Sequence, residues 1–236
     1  MEEKLSGIVL GGINYGENDK ILTVYTLEKG AISARVKGVK KAGAKLKFAS
    51  EPFSFAEFII IGGSNKNNII NASLIDSFYP LRENVEKYFC AGAVTEYVKR
   101  FMKEGIVSAE MFTLLVNALK TLSYKDAPPK AAVAEFLVSA LSLSGYALNV
   151  SGCPCCGEQL SERPFFDYAS GGFYCKNCRS EVYRPINYST YLNIKRLAEG
   201  ETLSDEEALP VLKLLDFYLT NKTEENIFSL KEIIKM

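Results

Sequence analysis

Two Cys-x-x-Cys pairs, Cys153 with Cys156 and Cys175 with Cys178, lie 18 residues apart and constrain this chain more than any other feature of its sequence. The spacing is that of a four-thiolate metal site, in which each pair folds as a tight knuckle and one tetrahedral ion joins the two. Pro154 stiffens the first knuckle and Gly157 supplies a positive φ at its exit, so the loop reads Cys-Pro-x-Cys-Gly. The expectation is one structural Zn²⁺ per chain, held by Cys153, Cys156, Cys175 and Cys178. Iron takes the same four ligands, so the spacing leaves that metal open as well. A thioredoxin-like redox pair would open a helix after a buried strand and needs no second pair, and a disulfide framework needs an oxidising compartment. The N-terminal residues show neither a basic region nor an apolar run of the secretory kind, which points to the cytoplasm.

The chain has no histidine, so a histidine-ligated catalytic zinc is excluded, and a shell closed by four thiolates leaves no position for water. Such a site would carry a charge of about −2, which Arg163, Lys176, Arg179 and Arg184 are placed in the sequence to offset. Cys155 reads as a bystander inside the knuckle that could substitute for Cys156, and Cys90, in a helical apolar pattern, as a small buried hydrophobe.

With 236 residues, 47% of them hydrophobic, the chain can bury a sizeable core and divide into two or three units. Its 28 basic and 28 acidic residues cancel, so any affinity for nucleic acid must come from local distribution. The uncharged run at 136–157 contains serines, Asn149, Gly145 and Pro154, and reads as a core helix and loop, not a membrane span.

Segments 6–14, 20–27, 30–38, 52–61 and 68–75 are rich in Val, Ile, Thr and aromatics and are punctuated by Gly, Asn and Lys, which predicts five strands. Residues 28–30 and 62–68 carry hairpin signals, and 40–51 form a longer connection. Five short strands in this length suit an OB-fold barrel, with an SH3-like barrel as the alternative. Phe53, Phe55 and Phe58 are expected to fill the barrel, a base-stacking platform being the other reading.

From Leu81 the apolar period becomes helical. It places Val85, Phe89, Tyr97 and Phe101 in a first helix and Phe112, Leu115, Leu119 and Leu122 in a second. A third opens at Pro128-Pro129 and stops at Gly145. After the cysteines, a helix over 189–198 ends at Gly200, another begins at the capping box of Ser204 and Glu207, and a short one covers 226–235. Pro210 should bend the capped helix or delay its start. The expected architecture is α+β: residues 1–80 a barrel, 81–150 and 186–236 the two parts of a helical domain, and 151–185 a metal module inserted between them.

Between residues 35 and 47 lie Arg35, Lys37, Lys40, Lys41, Lys45 and Lys47, with no acidic residue among them. Glycines 38 and 43 are read as letting the backbone approach a phosphate chain, and mobile lysines attract phosphates through counterion release whatever the sequence. A solvated loop is the competing reading. A five-stranded barrel favours nucleic acid, because such barrels bind single strands along basic grooves.

The opening stretch resembles the RecO family of bacterial recombinational DNA repair proteins. The likeness rests on Gly7, Ile8, Val9 and Leu10, on Tyr15, Gly16, Glu17, Asp19, Lys20 and Ile21, and on Thr23, Tyr25, Thr26, Glu28 and Gly30. Gly38 and Pro52-Phe53 then bound the basic loop, and the domain order and the Gly171-Gly172 pair before Cys175 extend the likeness along the chain. The resemblance implies a non-enzymatic mediator that binds single- and double-stranded DNA, anneals complementary strands, engages single-strand-binding protein and works with RecR to load RecA on gapped DNA. Lys99, Arg100, Phe101 and Lys103 are one expected place for the acidic, apolar-ended tail of a partner. No phosphate-cradling glycine loop or paired-carboxylate motif is present, which agrees with a non-catalytic role. The alternative is a Mg²⁺-dependent nuclease that uses scattered acids such as Glu17 and Asp19.

Overall fold

The computed structural model describes residues 2–62 and 67–236. Strands β1 (Glu2–Tyr15), β2 (Asp19–Thr26), β3 (Gly30–Val36), β4 (Phe55–Ile61) and β5 (Asn67–Asp76) close into a barrel in the order β1-β2-β3-β5-β4. β3 and β5 run parallel and the other neighbours antiparallel, which is the OB arrangement and not the SH3-like alternative. The centre of the turn expected at 62–68 lies outside the described residues, but β4 and β5 on either side pair as the arms of a hairpin.

Period-two patterning fills the barrel. Leu22 and Val24, then Ile32, Ala34 and Val36, then Ala56, Phe58 and Ile60 point inward from three strands. On β1 the inward positions are Leu5, Gly7 and Val9. A Cβ on Gly7 would meet Val24 Cγ1 at 2.6 Å, so glycine is what lets β1 press against β2. β1 begins at Glu2 and not at residue 6, because Lys4 pairs with Glu57 at 2.8 Å and Lys29 with Glu3 across its charged head.

The outward side chains of the same wall are buried too: Ile8, Leu10, Tyr25, Ala31 and Phe53 join the core of the helical body. Phe58 fills the barrel as expected, whereas Phe53 and Phe55 correct that expectation: they face away from the barrel interior into the helical core, Phe53 against Tyr88 at 5.3 Å and Phe55 edge-on against Phe112 at 5.9 Å.

Helices α1 (Val85–Phe101), α2 (Ala109–Tyr124) and α3 (Pro129–Leu143) precede the cysteine region, and α4 (Tyr188–Ala198), α5 (Asp205–Thr223) and α6 (Phe228–Lys235) follow it. Asn84 caps α1, Ser108 caps α2, and the Ser204–Glu207 box caps α5 as expected. Gly145 (φ +80) and Gly200 (φ +83) stop α3 and α4 in the left-handed conformation that glycine adopts without strain. Two expectations need correction. α5 starts at Asp205 and runs through Pro210 without delay, and Val85, the first residue of α1, stands 69% exposed because the helix's buried stripe begins later.

The two helical halves form one body. α3 opens on prolines without a cap of its own, and Asp205 at the start of α5 accepts the Ala131 N–H at 3.0 Å instead. Glu96 on α1 accepts the Ser229 N–H of α6 at 3.0 Å. A three-stranded sheet, β6 (Phe165–Asp167), β7 (Gly172–Tyr174) and β8 (Arg184–Pro185) in the order β7-β6-β8, is inserted between them. Phe166, Phe173 and Cys153 from this insertion belong to the helical core cluster. Among the described residues, no helix is long and apolar enough to cross a membrane.

The barrel meets the helical body at the segment after α1, where Gly30 and Ala31 bridge to Glu104. Gly30 has φ +67, and a Cβ there would lie 2.0 Å from the Ile106 carbonyl oxygen. Gly30→Ala is expected to push that segment off β3 and to cost about 3 kcal/mol or more. Denaturant titration measures it, and a loss under about 1 kcal/mol would contradict the account.

Candidate metal centre and basic turn

The four cysteines named from their spacing come together. The Sγ atoms of Cys153, Cys156, Cys175 and Cys178 all lie within 4.8 Å of one another, and those of Cys156 and Cys175 are 3.8 Å apart. Metal–sulfur bonds of ~2.3 Å in a tetrahedron imply sulfur–sulfur edges of about 3.8 Å, so the donors fit one ion. None of the six cysteines is in a disulfide, and the 3.8 Å separation of Cys156 and Cys175 is far beyond the ~2.05 Å of such a bond.

Local backbone chemistry builds each knuckle. The Gly157 N–H reaches the Cys153 carbonyl at 2.8 Å with φ +74, the Cys178 N–H reaches the Cys175 carbonyl at 3.2 Å, and the Cys153 N–H reaches the Glu158 carbonyl at 2.9 Å. Burial works against ionisation of Cys153, yet backbone N–H groups of Cys175, Cys156 and Cys155 outweigh it and bring its thiol down to about 6. The thiols of Cys156, Cys155 and Cys175 push Cys178 in the opposite direction.

Gly171 packs the insertion onto α5, and Gly172 packs it against its own first knuckle. A Cβ on Gly171 would lie 2.9 Å from the Tyr218 hydroxyl, and one on Gly172 3.0 Å from Pro154 Cγ. Of the four basic residues expected to balance the thiolates, Arg163 and Lys176 line a small cavity beside Cys175. Arg179 lies over the Phe165 ring at 4.8 Å, and Arg184 is drawn onto Phe217 of α5 at 4.5 Å. Cys155 is exposed and outside the four-sulfur group. Cys90 is buried, which pushes its thiol up to about 12 and leaves it inert.

The basic segment is a train of tight turns and not an open loop. N–H groups of Lys41, Ala44, Lys47 and Ser50 each bond the carbonyl three residues back, and the Lys40 N–H is fixed to the Asn18 carbonyl at 2.9 Å. Val39, Leu46 and Ala49 fasten the train to the barrel interior. Gly38 (φ +66) and Gly43 (φ +75) are required by this turn geometry, a nearer cause than the phosphate approach expected of them. Lys37, Lys40, Lys41, Lys45 and Lys47 are all exposed, and none forms an ion pair among the described residues.

Arg35 differs from the lysines. Its Nε donates to Asp19 Oδ2 at 2.8 Å, and the second oxygen of Asp19 accepts the Gly38 N–H at 2.7 Å. The Gly38 bond first, and Arg35 second, hold the Asp19 carboxyl below its ordinary value. Asp19 is therefore a latch between the β1–β2 hairpin and the turn train. Among the described residues, the four cysteines are the one group of three or more metal-ligating side chains, and neither Asp19 nor Glu17 belongs to such a group.

At the end of α1 the expected partner residues divide. Arg100, Phe101, Met102 and Lys103 line a cavity of about 600 Å³ together with Ile106, Leu143 and Tyr146. Arg100 is paired with Glu225 at 2.9 Å and Phe101 stacks on Tyr97 at 4.4 Å, so Lys103 is the exposed cation of this wall. Lys99 lies on the barrel side, near Gly11 of β1.

An OB-type barrel bearing a turn of exposed lysines, joined to a helical body that carries a cluster of four cysteines able to hold one ion, defines an OB-fold protein with a candidate four-cysteine metal site. Sequence comparison places it more narrowly. The chain belongs to the RecO family of DNA repair proteins: residues 1–78 match the family described as Recombination protein O N terminal, and 82–231 match Recombination protein O C terminal. A DNA repair protein RecO of Acetivibrio thermocellus is 28% identical over 234 residues, covering 94% of this chain and 92% of its own. One of Anaeromyxobacter dehalogenans is 33% identical over 203 residues, covering 84% and 79%. One of Rubrobacter xylanophilus is 34% identical over 177 residues, covering 75% and 71%.

Proposed function

We propose that this protein is a non-enzymatic DNA repair mediator of the cytoplasm. It binds single- and double-stranded DNA through the turn train, anneals complementary strands, and works with RecR to load RecA on gaps coated by single-strand-binding protein. The observation that carries this reading is the set of five exposed lysines, without ion-pair partners among the described residues, on turns pinned to the barrel of a chain whose net charge is zero. Unpaired lysines screen the phosphates of two strands at once and read no base edges, so the bases stay available for pairing. The groove at the end of α1, apolar inside and bearing Lys103 at its edge, supports a contact with the acidic, apolar-ended tail of single-strand-binding protein. The ion at the four cysteines is zinc in this reading, one per chain, and it holds structure: four thiolates close its shell and leave no position for a reacting water.

Labelled complementary oligonucleotides test the proposal. Annealing is expected to accelerate without ATP and with both strands intact in the presence of Mg²⁺. Strand cleavage with Mg²⁺, or annealing at the wild-type rate by a variant that has lost DNA binding, would overturn it.

A further inference from the structure

The turn train has an aromatic neighbour that the charge argument does not use. Tyr15 ends β1 opposite Asp19, at the tip of the hairpin to which the turn is latched, and 48% of its surface is exposed. The Arg35 guanidinium lies 4.8 Å from the centre of its ring. Because Asp19 neutralises Arg35, this cation is not spare for phosphate. It backs one face of a tyrosine that otherwise looks outward. The same Asp19 bonds the Gly38 N–H, and Lys40 bonds Asn18, so ring and lysines keep a fixed relation. Phe48, 39% exposed, directly follows Lys47 at the other end of the turn.

Resting on the reading of the turn as a DNA site, we propose that Tyr15 is a base-stacking platform that favours single-stranded over double-stranded DNA, with Phe48 as a second platform at the far end. Every base has a π face, so an exposed ring beside a phosphate-attracting strip binds an unpaired strand without choosing its sequence. Bases stacked inside a duplex are not available to such a ring, and the lysines alone then act. Arg35 is a positioning residue in this scheme: its flat guanidinium sets the tilt of the ring.

The test is fluorescence anisotropy with labelled oligo-dT and with a duplex of equal length, on full-length metal-loaded protein across salt concentrations. Tyr15→Ala and Tyr15→Leu are expected to weaken oligo-dT binding roughly 5- to 100-fold, with duplex affinity within about twofold and the salt slope unchanged. Tyr15→Phe should bind as the wild type, and Arg35→Lys should move in the direction of Tyr15→Ala. Retained duplex binding shows that the variants are folded. Wild-type oligo-dT affinity in Tyr15→Leu, or equal loss on both DNAs, overturns the stacking role. A variant with Lys40, Lys41, Lys45 and Lys47 changed to Ala separates the two readings: an unchanged salt slope there overturns the DNA site itself, and the stacking role with it.

Discussion

Stripping the metal, or replacing Cys153 with Ser, should melt the region from 151 to 185 and loosen the helical body, while the barrel interior stays folded. Cys153 is only 2% exposed and packs in the helical core, where Phe166 meets Tyr218 at 5.6 Å and Phe173 meets Tyr191 at 5.2 Å, both edge-on. Losing the knuckles therefore uncovers aromatic side chains of α4 and α5 as well as those of the insertion. The cost should be on the order of 3–5 kcal/mol or more, comparable to deleting a large buried aromatic. Thermal melting with and without chelator measures it, and hydrogen exchange should show the amides of β1 to β5 still protected. Cys155→Ser is the control and should leave metal content at one ion per chain. Unchanged melting of a demonstrably metal-free protein would contradict the account.

Changing Lys40, Lys41, Lys45 and Lys47 together to Ala should flatten the slope of log affinity against log salt by about 3, from four phosphate contacts at roughly 0.7–0.9 each. If the two lines meet near 1 M salt, that difference corresponds to about a thousandfold weaker binding at 0.1 M. The turn should survive, because Val39, Leu46 and Ala49 hold it and the substituted side chains are all exposed. Alanine at the exposed Lys120 and Lys213 should change nothing. An unchanged slope in the fourfold variant would move the site, with Lys99 and Lys103 as the next residues to test.

Much of this fold is legible in the sequence because its signals are local. β-branched alternation between turn residues gives five strands, the Ser204–Glu207 box and the glycines after α3 and α4 set helix ends, and Cys-x-x-Cys spacing names four ligands that the chain does bring within 4.8 Å. What escapes is what depends on pairing across the fold. Arg35 reads as one more cation in a basic run, and only the pairing of β1 with β2 and β2 with β3 reveals Asp19 as its partner. The charged start of β1 falls outside the first predicted strand until Glu57 of β4 and Lys29 of the β2–β3 turn are seen to pair with it. Asp205 looks like an ordinary first-turn acid of α5, although it also caps α3 from 74 residues away. Gly30 carries no local mark of the carbonyl that approaches it from Ile106.

Val39 and Ala49 root the lysines in the barrel interior, the one core to which no cysteine contributes, whereas the groove after α1 is framed by helices whose packing continues into the cysteine knuckles. Metal scarcity would therefore divide the molecule's tasks unequally. On the proposed reading of the lysines as a DNA site and the groove as a partner site, a starved cell would hold a protein that still grips DNA while its groove has slackened, and strands would be occupied without being handed on. On that reading, repair that depends on this chain would be sensitive to the supply of the ion at the hand-over step, before DNA affinity falls.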